Sequence, residues 1–222
     1  MVHKSILRHT FLIILSIVIF LPPISSQELK ENPVLDERVK KTLDKLSGQW
    51  HDLNVPANDG KVLYDIIIKN KYTSAVEIGT STGHSGIWIA WALSKTGGKL
   101  ITIEIDQSRH KTALKNFEEA GLLEYIDARL ADAHKLVPEL KSPFDFVFSD
   151  ADKDWYINYF KALDPKLKTG GSFVSHNVFS RTRGGSGSTA SFAEYILSLK
   201  NYETTFNDLG NGVAISYKKS GK

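Results

Sequence analysis

The stretch Ala75-Val-Glu-Ile-Gly-Thr-Ser-Thr-Gly-His-Ser85 limits most strictly what this chain can fold into. An apolar run, Ala75 to Ile78, ends in a turn of small residues, Gly79 to Gly83, and an apolar helical segment, Ile87 to Leu93, follows. Strand, glycine turn and helix make the crossover unit on which nucleotide-like ligands bind. Glycine lets the backbone approach a ligand, and the first helical turn offers N–H groups without intrahelical partners. Glu77, at the end of the strand, is costly to bury without a partner. It is placed to accept a hydrogen bond from a cationic or hydroxylated ligand.

The turn itself admits several readings. A dinucleotide fingerprint requires Gly-x-Gly-x-x-Gly, which Ser81 breaks. Gly79-Thr-Ser-Thr-Gly83 fits the nucleophile elbow Gly-x-Ser-x-Gly, and Asp150 and His176 follow Ser81 in the order of a hydrolase triad. The spacing Glu-x-Gly-x-x-x-Gly resembles the S-adenosylmethionine (SAM) loop of class I methyltransferases. A left-handed structural turn with no ligand is the remaining reading.

From Ser74 onward the pattern alternates. Strands are expected at 75–78, 100–105, 126–130, 144–148 and 172–175, with helices at 84–93, 107–120, near 134–140 and at 155–163. A Gly/Ser-rich loop, 181–188, and a helix near 190–199 precede two last strands, 202–207 and 213–217, separated by Leu209-Gly-Asn-Gly212. Such alternation gives an α/β fold, an open and mostly parallel seven-stranded sheet with helices on both faces. The short last connection pairs the final strands as an antiparallel hairpin. Upstream, helices are expected over 33–53 and 61–69, with the turn-rich Asn54-Val-Pro-Ala-Asn-Asp-Gly60 between them.

Residues 1–26 read as a targeting segment: a basic start with Lys4 and Arg8, an apolar run from Phe11 to Leu21, then Pro22-Pro23. The run is shorter than the ~18–20 residues that span a bilayer. A cleaved signal peptide, giving a secreted or periplasmic protein, is expected. An uncleaved membrane anchor formed by residues 11–21 is the alternative. Residues 27–222 are expected to form one domain. Without residues 1–26 the chain holds 26 basic and 25 acidic side chains, a formal +1, which makes no electrostatic case for nucleic acid. The absence of cysteine excludes disulfides and thiolate metal sites.

The strand ends carry the chemistry. Glu104, 25 residues after Gly79, closes the second strand where an acid binds ribose hydroxyls. Leu130-Ala-Asp-Ala-His134 closes the third, with Asp132 or the Ala133 backbone able to meet an adenine ring and Asp132 equally suited to cap a helix. Phe148-Ser-Asp-Ala-Asp-Lys-Asp154 closes the fourth. Its carboxylates suit a hard cation, and Lys153 suits proton abstraction once burial or a nearby cation lowers its pKa. Asp152 and Asp154 also suit a plain helix N-terminus. His176 and Asn177 close the fifth strand and can complete a mixed O/N metal site with Asp150, or be structural.

Together, Val76-Glu-Ile-Gly-Thr-Ser-Thr-Gly-His-Ser85, Thr102-Ile-Glu-Ile-Asp106, Asp150-Ala-Asp-Lys153 and His176-Asn177 resemble the cation-dependent small-molecule O-methyltransferases of the catechol and caffeoyl-CoA type. The resemblance spans roughly residues 33–217 and implies a Rossmann-like class I methyltransferase fold. It also implies SAM as methyl donor and a small phenolic, catechol-like acceptor. Val55, Glu77, Gly79, Thr80, Ser85, Glu104, Ala133, Asp150 and Asp152 would line the donor site. Lys153 would be the catalytic base, and Asp150, His176 and Asn177 would hold a divalent cation. The family has Asp-Asn where this chain has His176-Asn177, so magnesium, a transition metal or no metal all stay open. No acidic residue after Asn177 matches the acceptor-binding glutamate of the catechol enzymes. The first helix offers a surface for a homodimer. A donor-binding protein without catalysis and a serine hydrolase acting through Ser81 are the competing readings.

Overall fold

The computed structural model describes residues 28–50, 53–141, 143–180 and 187–221. The expected targeting segment, His51 and most of the Gly/Ser-rich loop lie outside the described residues. Among the described residues no helix is long and apolar enough to cross a membrane.

Two helices, α1 (Pro33–Lys45) and α2 (Ala57–Asn70), precede the alternating part. That part runs β1 (Ser74–Ile78), α3 (His84–Thr96), β2 (Lys99–Glu104), α4 (Gln107–Ala120), β3 (Ile126–Leu130), α5 (Ala133–Glu139), β4 (Phe144–Ser149), α6 (Tyr156–Leu163) and β5 (Leu167–His176). It closes with α7 (Gly187–Ser198), β6 (Tyr202–Asn207) and β7 (Val213–Lys218). The sheet has seven strands in the order β3-β2-β1-β4-β5-β7-β6. β1 to β5 pair in parallel, and β7 runs antiparallel to both β5 and β6. This is the expected mostly parallel sheet with a reversed C-terminal hairpin. The order turns back at β1, which has β2 on one side and β4 on the other, so the crevice for a ligand opens between the C-terminal ends of β1 and β4.

All six residues of β4 are buried, as a central parallel strand covered on both faces requires. Alternate side chains then feed two cores. Ala75, Phe146, Phe148 and Val174 pack under α1 to α4 with Leu63, Ile67, Ile87 and Phe117. Val76, Ile78, Val147 and Phe173 pack under α5 to α7 with Tyr156, Phe160 and Phe192.

Local chemistry sets the helix ends. Asn32 accepts the Leu35 N–H ahead of Pro33, and Asp106 accepts the Arg109 N–H at 2.8 Å. The three largest departures from the expected boundaries have local causes. α1 stops at Lys45 because the chain turns through Gly48, at φ 76°. α2 starts four residues early, because extended Pro56 offers its carbonyl to the Gly60 N–H (3.0 Å) and the apparent turn 57–60 becomes the first helical turn. β5 starts at Leu167, its first residues pairing past an irregularity at Phe144/Phe146.

Gly60 lies where α2 meets α3, and a Cβ there would overlap the Trp88 indole. Gly60→Ala should therefore displace that ring and cost about 1–3 kcal/mol. That corresponds to a fall in Tm of roughly 2–10 °C by calorimetry. An unchanged Tm would show that the helices do not pack this closely.

Candidate active site

The glycine turn is held by its neighbours. Gly79 has φ 96°, and a Cβ there would lie 3.0 Å from the backbone of Asp150, so only glycine lets β1 end this close to β4. The Gly79 and Thr80 N–H groups both reach the Ile103 carbonyl, at 3.0 and 3.2 Å. The Ser81 N–H donates to Glu104 Oε2 at 2.7 Å, while Glu104 Oε1 accepts from the N–H groups of Ile105 and Asp106. Three donors thus orient a carboxylate that keeps lone pairs for a ligand hydroxyl.

Beneath the turn runs a buried hydroxyl relay. Thr102 donates to Glu77 Oε2 at 2.6 Å, so its single proton is used and Thr80 must be the donor in the Thr80–Thr102 contact. Glu77 is fully buried, and its Oε1 has no partner among the described residues. Burial pushes its pKa up to about 8, against the hydrogen bonds from Ser85 and Thr102.

A cleft of about 610 Å³ opens over the ends of β1, β2, β4 and β5. Leu53, Ser81, Asp152 and Asn177 line it, and all four are non-glycine residues at positive φ: 67°, 49°, 38° and 58°. The fifth such residue among those described, Lys71, merely ends α2. Such conformations cost about 1–3 kcal/mol each and gather where a site dictates the backbone.

The β4 end supplies the charged part of the cleft. Lys153 Nζ donates to Asp150 Oδ1 at 2.5 Å and to the Tyr156 hydroxyl at 2.9 Å, and that hydroxyl donates to the His176 carbonyl at 3.0 Å. His176 is buried, with Nδ1 3.1 Å from Asp150 Oδ2 and Nε2 3.0 Å from Asp59 Oδ2. Burial opposes a charged imidazole, but the two carboxylates outweigh it and push the His176 pKa up to about 9. Asp152 faces the other way, to His134 Nε2 at 2.8 Å, with the His134 ring stacked on Trp155.

The structure therefore divides the expected site residues. Gly79, Glu104, Ala133, Asp150, Asp152, Lys153, His176 and Asn177 line one cleft. Glu77, Thr80 and Ser85 are buried and do not line it. Side chains alternate along β1, so Glu77 points with Ala75 toward the α3 layer and braces the turn from below. Val55 faces a second cavity, about 980 Å³, between α1, α2 and α3, where its carbonyl accepts from His84 Nδ1 at 2.7 Å. Asn54 borders both cavities. His176 does not fit the expected cation site. Both its nitrogens face carboxylates, whereas Asp150, with one contact on each oxygen, and Asn177, whose amide nitrogen donates to the Asn211 carbonyl at 3.3 Å, keep oxygen lone pairs. No group of three or more His, Asp or Glu among the described residues is arranged to hold a metal. The same contacts leave His176 no nitrogen to take a proton from Ser81, so the hydrolase triad does not form.

Sequence reasoning missed Asp59, Asn211, Arg109 and Tyr159. Asp59 looked like part of an Asn-Asp-Gly turn, yet Pro56 followed three residues later by an acid is also a helix start. The other three had no local signal.

A family model described as O-methyltransferase matches residues 24–185. A catechol O-methyltransferase of Niastella koreensis is 36% identical over 130 residues, 57% of this chain and 58% of the relative. Caffeoyl-CoA O-methyltransferase 1 of Eucalyptus globulus is 32% identical over 127 residues, 55% of this chain and 51% of the relative. The match thus spans little more than half the length of these curated relatives. Among solved structures, the O-methyltransferase TomG of Streptomyces achromogenes, involved in tomaymycin synthesis and crystallised with SAM, superposes with a TM-score of 0.69. It is 26% identical, with 88% of this chain and 94% of that one covered.

The two raised pKa values fix a pH dependence of stability. Glu77 and His176 both hold a proton more tightly folded than unfolded. Glu77's contribution is complete below its ordinary 4.5 and is lost as pH rises through about 8; that of His176 is complete below 6.5 and lost through about 9. Urea stability should therefore fall from pH 6 to pH 9, and Glu77→Gln should flatten the fall below pH 8 while leaving the last part. A wild-type profile that is level or rising across this range would contradict both assignments.

Proposed function

The chain belongs to the O-methyltransferase family, and we propose that it transfers the methyl group of SAM to a hydroxyl oxygen of a small, catechol-like aromatic in the cleft over β1, β2, β4 and β5. The observation that carries the reading is that Glu104 and the Lys153–Asp150 pair line the same cleft, on either side of the point where the strand order turns back.

When bound, SAM supplies an activated methyl group on a cationic sulfur. Glu104, preset by three N–H donors, would accept from the ribose hydroxyls, and the glycine turn borders the same cleft through Gly79 and Ser81. Ala133, at the start of α5, borders the cleft where an adenine ring would lie. Lys153 stands at the acceptor end. As the free amine it would take the hydroxyl's proton, and the ammonium so formed would stabilise the oxyanion, which attacks the methyl carbon in line as the donor's carbon–sulfur bond breaks. Placement and charge stabilisation are the main sources of rate in such a site.

The engaged state of Asp150 and His176 also favours a second reading, donor binding without turnover. Methyl transfer to any member of a phenol panel separates the two. Calorimetric titration of SAM into the full-length protein should give a dissociation constant near micromolar. Glu104→Gln should weaken it by about tenfold or more, the value of one charge-assisted hydrogen bond. Lys153→Ala should leave donor binding intact and lower kcat by a factor on the order of 10²–10⁴. A protein that takes up no SAM would overturn the reading.

A further inference from the structure

Resting on the proposed donor and acceptor sites, we propose that His176, fixed by Asp59, supplies from within the chain the positive charge that a divalent cation supplies in the enzymes it resembles, so that this cleft works without a metal. Each ring nitrogen faces a carboxylate oxygen, Asp150 Oδ2 at 3.1 Å and Asp59 Oδ2 at 3.0 Å. Ionised carboxylates only accept hydrogen bonds, so both nitrogens donate and neither keeps a lone pair for a metal.

The ring is not free to turn away. Asp59 is 2% exposed and also accepts the Asn211 N–H at 3.0 Å, and a Cβ on Gly210 would overlap its carboxylate. The β6–β7 turn therefore closes over Asp59, and rotating His176 would strand a buried charge, which costs several kcal/mol by the general rule for broken buried pairs, about 3–5. Charge balance agrees. Once Lys153 holds the proton taken from the acceptor, the carboxylates of Asp59 and Asp150 face one imidazolium and one ammonium, and the cluster is neutral. A dication would bring two uncompensated charges beside the imidazolium already facing Asp150.

Asp59 is on this account a positioning residue. It touches neither donor nor acceptor, and it keeps His176 doubly protonated and turned toward Asp150. The consequence for substrates is direct. A metal grips two vicinal oxygens, whereas Lys153 grips one, so a phenol with a single hydroxyl meets every contact this cleft offers.

The test is a titration of Mn²⁺ into the full-length, chelator-treated protein, read by electron paramagnetic resonance of the free ion, with SAM present and absent. Wild type should show no saturable site tighter than millimolar. His176→Asp should gain one at least tenfold tighter, because it releases Asp150 and adds a carboxylate beside Asn177. A stoichiometric site in the wild type that Asn177→Ala removes would overturn the proposal. Should His176→Asp fail to fold, the wild type decides alone. Long-range ¹H–¹⁵N spectra should show protons on both His176 nitrogens, unmoved by Zn²⁺, and one bare or zinc-shifted nitrogen would refute the proposal. SAM uptake by the same sample reports on the donor site separately, so failure there would count against the proposed function and not against this assignment.

Discussion

The carboxylate of Asp150 sits between two basic groups, Lys153 on one oxygen and His176 on the other. It joins elements that are far apart in sequence. Through Lys153 and Tyr156 it reaches the start of α6, and through His176 it reaches the end of β5 and then Asp59 on α2. The N-terminal helices are thereby tied to the sheet edge where the chemistry is proposed. Because the ion pairs are buried or half-buried, removing any one partner leaves a charge without compensation.

The other side of the crevice is held by neutral hydrogen bonds. Thr80, Thr102 and Glu77 form a buried chain under the glycine turn, and Glu104 clasps the turn from above. The two sides meet where Gly79 lies against the Asp150 backbone. Backbone strain at Leu53, Ser81, Asp152 and Asn177 surrounds the same opening. A rigid neutral floor, an oriented acid at one end and an ion-paired lysine at the other form a cavity whose groups are set before a ligand arrives, which is what lowers the cost of reaching a transition state.

Much of this was legible in the sequence, for local reasons. The limits of α4, β3 and β6 coincide with expectation, because Asp106 and Gly121 mark the helix and turn residues bound the strands. Glu104, Asp150 and Lys153 were visible because each ends or closely follows an apolar strand, where open α/β sheets bind ligands. The direction of Glu77 was not visible, since a one-residue step in β1 decides which face a side chain takes. Nor was Asp59, whose role exists only because α2, β5 and the β6–β7 turn converge in space. The resemblance supplied a cation for Asp150, His176 and Asn177. What replaces it here is a contact across 117 positions of sequence, which no spacing rule reports.

The central claim is that this cleft moves a methyl group with its own charges alone. The measurement that meets it most directly is transfer of labelled methyl from SAM to a panel of mono- and dihydroxylated phenols by the full-length protein in excess chelator. The account predicts turnover on a monohydroxylated phenol, at a rate that added Mg²⁺, Mn²⁺ or Zn²⁺ leaves within about twofold. Transfer that appears only when a cation is restored, or none from a protein saturated with SAM, would contradict it.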